Sequence, residues 1–410
     1  MSSAAEVHFD PLADPLAQLD RLLEHESGVV RAGAPVDALL VLRRDLVREV
    51  LRDTDTYSSR DALGGPMPAS VPPRVAAELP EFLQEPVTAV VDADGPGHHR
   101  LHATVQAAYS RARTGTLRPL LVRRAGELAG EIAERRGGDL VADFAQPLTA
   151  AGMAAAMGVP QQDAPQLAAW AMSLAQVLTP TVPEEERVAA AARLHGFAEW
   201  GGDLLDRAPE GSAAAIYARG ADGRQALRRE DALYCLLTHW VAGTVTTTHG
   251  ITTAAHRLLC ERALWQEAAA DPDTFAPRAF DEGLRWAAPH RGLVRTVTRP
   301  ATLGEVRLAP GDQVLPMLAA ANRDPGHWAE PRRFDPHREA AHHDAFSYGP
   351  HACVGAHLAR LEGEIALHTL LTALPSLRRD GDEPPLRPDF FFHGLARLPV
   401  TLTGPDPAEA

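Results

Sequence analysis

Residues 346–367, FSYGPHACVGAHLARLEGEIAL, decide how the rest of the chain is read. Gly349 and Pro350 mark a loop, and after Cys353 apolar residues recur at Val354, Leu358, Leu361 and Ile365, the spacing of one helix face. The pattern predicts a helix that begins just beyond the cysteine. A sulfur at a helix N-terminus meets unpaired backbone N–H groups and the positive end of the helix dipole, and both stabilise a thiolate. Gly349 and Gly355 place no side chain between the backbone and a flat macrocycle. A buried structural cysteine needs none of this setting.

The segment reads F-x-x-G-x-H-x-C-x-G through Phe346, Gly349, His351, Cys353 and Gly355, and it resembles the haem-ligand loop of the cytochrome P450 superfamily. The resemblance implies that Cys353 is the axial ligand of haem b, with Phe346 beside the cofactor and a thiolate whose electron push favours O–O cleavage. It also implies a fold that is mainly α with small β-sheets, a helical triangular prism.

Further motifs stand in the order of that family. In DEGLRW, Glu282 and Arg285 lie one helical turn apart, a pairing common on solvated helix faces. Upstream of Cys353 it matches the family's E-x-x-R, and Arg338 in FDPHR is the expected third member of a buried ion network with a scaffolding role. The resemblance assigns Arg295 in LVRTVTRP, His351 and His98 to the haem propionates, a pairing that suits a guanidinium fork. In DGPGHHRLH the family's H-x-x-x-R becomes His98 followed by His102. Either His102 donates an N–H in the arginine's place, or Arg100 reaches around.

WVAGTVTTTHG resembles the oxygen-activating helix of the family. Ala242 and Gly243 are in place, and Thr246 supplies the alcohol, with back-bonding to the i−4 carbonyl and a kink at Gly243 expected. Val245 stands where the family has an acid that helps deliver protons. Three outcomes stay open: tolerance of Val245, hydroxylation with a relay through Thr246, Thr247, His249 or a substrate group, and phenol coupling, cross-linking or dealkylation in which the substrate brings its own hydroxyl or acid. A non-catalytic haem-binding protein is the alternative outside enzymes. The resemblance points to the loop of residues 60–90, Thr238, His239, Ala242, HRGLV with His290, Arg291 and Leu293, and FFFHG with Phe391, Phe392 and His393 as the substrate pocket. Such side chains suit an aromatic, carboxylated or peptide-like molecule.

Composition sets the outer limits. The 410 residues, 45% of them hydrophobic, are ample for a large core. No convincing linker or repeat appears, so one domain spanning 1–410 is expected, with tails at 1–8 and 405–410. Cys235, Cys260 and Cys353 form no C-x-x-C pair, which argues against a disulfide framework or zinc site. A net charge of −14 disfavours nucleic acid and anionic membrane as partners. The start lacks a basic-then-apolar signal pattern, and the cytoplasm is the expected location. Residues 95–126 hold no acid but carry Arg100, Arg111, Arg113, Arg118, Arg123 and Arg124, a stretch able to face an acidic protein. No flavin or iron–sulfur pattern is present, so the resemblance implies a separate ferredoxin and an NAD(P)H-dependent reductase. Abundant Ala, Arg, Gly and Pro with almost no Lys hint at a high-GC source, in which many such enzymes tailor secondary metabolites.

Overall fold

A computed structural model describes residues 4–402 apart from 11, 14, 35, 61, 64–68, 70, 180, 181, 340, 341 and 390. Its helices are α1 (Pro15–Leu22), α2 (Arg44–Arg52), α3 (Pro73–Ala77), α4 (Gly95–Ala108), α5 (Arg111–Gly115), α6 (Arg118–Arg135), α7 (Gln146–Met157), α8 (Ala164–Leu178), α9 (Glu184–Arg207), α10 (Ala213–Arg219), α11 (Arg229–Cys260), α12 (Arg262–Ala270), α13 (Pro272–Trp286), α14 (Leu318–Ala321) and α15 (Ala356–Ala373). The strands are β1 (Ala5–Val7), β2 (Val29–Ala32), β3 (Ala38–Val41), β4 (Tyr57–Ser58), β5 (Gly137–Asp139), β6 (Arg295–Val297), β7 (Ala301–Leu303), β8 (Val306–Leu308), β9 (Gln313–Pro316), β10 (Arg378–Arg379) and β11 (Pro399–Thr401). The mainly helical architecture with small sheets agrees with the sequence reading.

Local chemistry sets the boundaries. Glu184, Glu185 and Glu186 fill the first turn of α9, and Arg207 its last, each charge opposing the local end of the helix dipole. The Asp271 carboxylate caps α13 by accepting from Thr274 N at 3.3 Å. The apolar run through DALYCLLTHW and TTAAHRLLCERAL does not form one helix: extended backbone at Glu261 ends α11 and starts α12. At 32 residues α11 is about 48 Å long, enough to cross the whole molecule.

The largest sheet runs β1-β2-β3-β9-β6-β4, with β1–β2 and β3–β9 parallel and the other pairs antiparallel. Val30 pairs with Leu40 and Leu40 with Leu315, so fully buried β2 and β3 residues build a core beneath α1 and α2. A second sheet runs β10-β11-β5, and β7 and β8 form a hairpin through Gly304 at φ +57°. The other core is helical and gathers α6, α7, α8, α11, α13 and α15. Full burial of a side chain such as Phe280, 1% exposed between α13 and α15, stabilises by about 1.5–3 kcal/mol.

Two expectations change. Residues 5–7 are not a tail: β1 pairs with Val30, Arg31 and Ala32 of β2, whose amides and carbonyls would otherwise lack partners on that edge. Residues 405–410 lie outside the described residues. The Pro-rich stretch of residues 60–90, expected as a loop, contains α3 and sinks Val75, Leu79 and Leu83 into the helical core, because its apolar residues outweigh its prolines. Residues 61, 64–68 and 70 of that stretch lie outside the description. Among the described residues no helix is long and apolar enough to cross a membrane.

Candidate active site

The loop before α15 is built to present Cys353. Gly349 has φ +73°, and a Cβ there would press on the Leu51 carbonyl, so only glycine lets the loop lie against α2. Ser347 also holds a positive φ, +62°, a conformation uncommon outside glycine. Cys353 N donates to Phe346 O at 2.8 Å and closes the loop, and its Sγ accepts from the N–H groups of Gly355 and Ala356 at the start of α15. Cys353 is exposed to two voids, the cavity beneath α11 and a groove on its far side. Burial raises the thiol pKa, against the pull of the two amides and Arg360. A bound metal cation inverts that balance, since a coordinated thiol is deprotonated.

The same cavity is walled by α11. Ala242, Gly243 and Thr246 line it, with His239 one turn earlier on the same face. Thr246 Oγ1 donates to Ala242 O at 2.6 Å and Thr244 Oγ1 to Trp240 O at 2.7 Å, the expected back-bonding. That bond commits the Thr246 proton, so its oxygen is left as an acceptor. The helix continues through Gly243 without interruption. Val245 offers no polar group.

At one edge of the cavity cationic and imidazole groups gather. His98 stacks 4.1 Å from His351 and 5.2 Å from His102, centroid to centroid. Burial and mutual repulsion lower His98 to about 4 and His351 to about 3, and burial lowers His102 as well. Arg295, 3% exposed, falls to about 10, again chiefly through burial. His98 Nε2 and His351 Nδ1 have no partner among the described residues. Asp94 and Asp92 are nearby acids; Asp94 accepts from Ser58 and Ser59 N, and Asp92 from Leu63 N. Buried donors without acceptors are costly, so this edge is built for an anionic group. A thiolate loop, an apolar slot and an anion-seeking edge fit the haem that the resemblance implies, iron at the sulfur and carboxylates at His98, His351 and Arg295. His102 and Arg100 are not equivalent here: His102 belongs to the imidazole cluster and lines a groove that reaches Cys353 from the other side.

The expected ion network is present and extensive. Arg285 donates to both oxygens of Glu282 at 2.7 Å and to the carbonyls of Asn322, Pro331 and Arg333, while Arg338 lies 3.5 Å from Glu282. It ties α13 to the segment that leads back to the cysteine loop. Sequence reading missed a second clamp: Asp344, two residues before Phe346, accepts from Arg44 at 2.6 Å and Arg48 at 2.8 Å, and its N donates to Asn322 Oδ1 at 2.6 Å. The only trace of it in sequence is a lone Asp preceding the motif.

His239, His290, Leu293, Phe391 and Phe392 line the cavity, as do Leu63, Ala89 and Val90 of the 60–90 segment. Arg291 and His393, expected to face a substrate, do not. Arg291 is 6% exposed and donates to Asp389 O at 3.0 Å. His393 is 7% exposed and lowered to about 3 by burial and Arg291. Both brace the β-bridge between His290 and Phe392 from behind, where alternation along an extended segment turns neighbouring side chains to opposite faces. Of the relay residues offered, Thr247 lines the cavity, while His249 does not and has neither ring nitrogen partnered; Glu362 of α15, which sequence reading missed, lines it with neither oxygen partnered, among the described residues. The acid-free arginine stretch finds acids both locally and across the fold: Arg123 and Arg124 pair with Glu127 at 3.8 and 3.1 Å, and Arg113 with Asp222 and Arg118 with Glu364, both at 3.0 Å.

A model of the family described as "Cytochrome P450" matches residues 274–401. The chain is 31% identical to "Biotin biosynthesis cytochrome P450" of Bacillus subtilis over 75% of its own length and 78% of the relative's. It is 30% identical to "20-oxo-5-O-mycaminosyltylactone 23-monooxygenase" of Streptomyces fradiae, covering 92% and 87%. Among solved structures it resembles P450BioI in complex with an acyl carrier protein ligated to hexadec-9Z-enoic acid, with a TM-score of 0.82 and 26% identity over 96% of this chain and 99% of that one.

Proposed function

The chain belongs to the cytochrome P450 family, an enzyme family whose members bind haem b through a thiolate, and we propose that it oxidises a small, mostly apolar molecule with O2 and electrons from a ferredoxin. The reading rests on one observation: Cys353, the Thr246 face of α11, Arg295 and His351 all border one apolar slot, with His98 packed against His351 and a ring nitrogen of each histidine unpartnered among the described residues. In this proposal Cys353 would hold the haem iron through its sulfur, Phe346 would pack beside the haem, His98, His102, His351 and Arg295 would hold the propionates, and Glu282, Arg285 and Arg338 hold the scaffold. Because the slot draws on both hydrophobic cores, the chain acts as one haem-binding domain.

The haem supplies the oxygen activation and the one-electron chemistry. The chain's own residues orient, exclude and transfer. Ala242 and Gly243 leave room beside α11, and Thr246 Oγ1 accepts a hydrogen bond from water or substrate because its proton is held by Ala242 O. Val245 leaves proton delivery without a carboxylate, which favours as a second reading a coupling or dealkylation in which the substrate supplies an acidic proton. Arg100 and Arg111 make no ion pair among the described residues, and Arg111 borders the groove behind Cys353, a face suited to an acidic ferredoxin. The cytoplasm and a place in secondary metabolism belong to the same proposal.

Reduction under carbon monoxide tests the ligand: the far-red-shifted Soret band of a thiolate haem should form and vanish in Cys353→His. Labelled O2 then separates the two reactions. Label in the product, or in the aldehyde released on dealkylation, means monooxygenation; unlabelled coupled product means oxidative coupling.

A further inference from the structure

Two histidines on the cavity wall have their tautomers set by the protein. His290 Nδ1 accepts the backbone N–H of Gly292 at 3.1 Å. A backbone amide only donates, so Nδ1 carries no proton and the neutral ring carries it on Nε2. His239 Nδ1 lies 2.7 Å from the hydroxyl of Tyr217 on α10. Tyr217 is wholly buried, and burial keeps its proton on the oxygen. Its neighbour Tyr109 borders the cavity, and the Tyr109 hydroxyl has no hydrogen-bond partner among the described residues. His239 Nδ1 is the partner of the buried Tyr217 hydroxyl, so donation to Nδ1 uses the hydroxyl proton, whereas acceptance from the ring leaves that proton without an acceptor. In both rings Nε2 is the nitrogen left for the cavity, and no described residue partners it.

We propose that His239 and His290 are specificity-determining residues whose Nε2–H groups select an uncharged substrate with at least two separated acceptor oxygens, such as a diester or keto-lactone, in an apolar frame. This rests on the haem-enzyme reading of the cavity. Around the two donors the wall is apolar: Met153, Leu174, Leu284, Leu293 and Phe392. His290 is further fixed by an edge-on contact with Phe392 at 5.4 Å. Both rings are lowered to about 4 by burial, with Arg291, Arg295 and Asp389 acting on His290, and Tyr109, Tyr217 and Cys235 around His239. They are therefore neutral donors at neutral pH and supply no countercharge. Arg291, the cation that would have paired with a carboxylate, bonds to Asp389 O behind the wall. His239 precedes Thr246 by seven residues on one helix face, so its donor stands about 10 Å along the axis from the Thr246 hydroxyl. An acceptor held there places a remote carbon beside that hydroxyl.

The test is equilibrium binding to the haem-loaded protein, read as the ferric spin-state shift and by calorimetry, with dimethyl sebacate, methyl decanoate, dodecane and the sebacate dianion. Each acceptor should tighten binding about three- to tenfold, in the order diester, monoester, alkane, with the dianion weaker than the diester. His239→Phe and His290→Phe should each cost the diester about three- to tenfold and leave dodecane unchanged. Tyr217 is a positioning residue: in Tyr217→Phe, ring nitrogen NMR should show the His239 proton redistributed between Nδ1 and Nε2, whereas the wild type shows Nε2–H alone. Equal affinity for diester and alkane, tightest binding of the dianion, binding of none of the four, or a wild-type His239 protonated at Nδ1 overturns the proposal. A wild type without the thiolate carbon monoxide band fails the haem reading instead, and the NMR result on the apoprotein still stands for or against the tautomers.

Discussion

Replacing Glu362 by Gln should change how stability depends on pH more than it changes stability itself. Glu362 sits on α15, 1% exposed, with neither oxygen partnered among the described residues. Gly152 of α7 lies directly against Oε1, and a Cβ there would overlap it, so nothing larger than hydrogen fits beside the carboxyl. Burial alone holds its pKa well above the ordinary carboxylate range. In the unfolded chain the group loses its proton near pH 4.3, while the native protein keeps it. Above that pH the native state binds one more proton than the unfolded state, so stability is full below it and falls by up to about 1.4 kcal/mol per pH unit as pH rises toward the native value. Over two units the loss is roughly 3 kcal/mol. Gln has the same shape and no titration, so the wild-type minus variant difference in unfolding free energy should carry that slope. Urea unfolding from about pH 4.5 to 6.5 at constant haem ligation measures it, and the infrared band of a protonated carboxyl should disappear in the variant. Parallel pH dependences for the two proteins would mean the buried carboxyl is ionised, and the reasoning from an unpartnered acid would be wrong.

Arg285→Met removes five donated hydrogen bonds and leaves Glu282 with Arg338 and Asp335 N, so it should cost about 3–5 kcal/mol in denaturant unfolding. Arg295→Leu should speed haem transfer to apomyoglobin more than tenfold, taking a charge-assisted contact as about 1.5–3 kcal/mol, while leaving the thiolate carbon monoxide band in place. Val245→Asp returns a carboxylate to the turn before Thr246 and should raise product formed per reducing equivalent while lowering peroxide release; unchanged partition would show that the substrate supplies the proton. Gly152→Ala should destabilise by about 1–3 kcal/mol, and pairing it with Glu362→Ala should recover part of that loss.

Most of the fold was legible because its signals are local. The α15 periodicity, the Gly304 hairpin and the apolar run of β3 follow from spacing, and so does the place of Cys353 ahead of a helix. Where local signals compete, the reading went astray. Val75, Leu79 and Leu83 carried the Pro-rich stretch into the core, and Ala5–Val7 became a strand because β2 had an edge to satisfy. The division of α11 from α12 at Glu261 has no sequence mark beyond an unremarkable Glu.

By itself the sequence determined the family, the mainly helical class, the haem and the thiol set to hold it, because these rest on residue types at short spacing and on a helix face. Only the tertiary structure decided which polar groups meet. Tyr217 reaches His239 across 22 positions, Arg44 reaches Asp344 across 300, and Arg291 turns behind the wall while its neighbour His290 faces the cavity. Burial then acts on those meetings, leaving His239 and His290 neutral and Glu362 protonated. A residue's charge and donor pattern depend on what surrounds it, and for contacts so distant in sequence the surroundings exist only once the chain has folded.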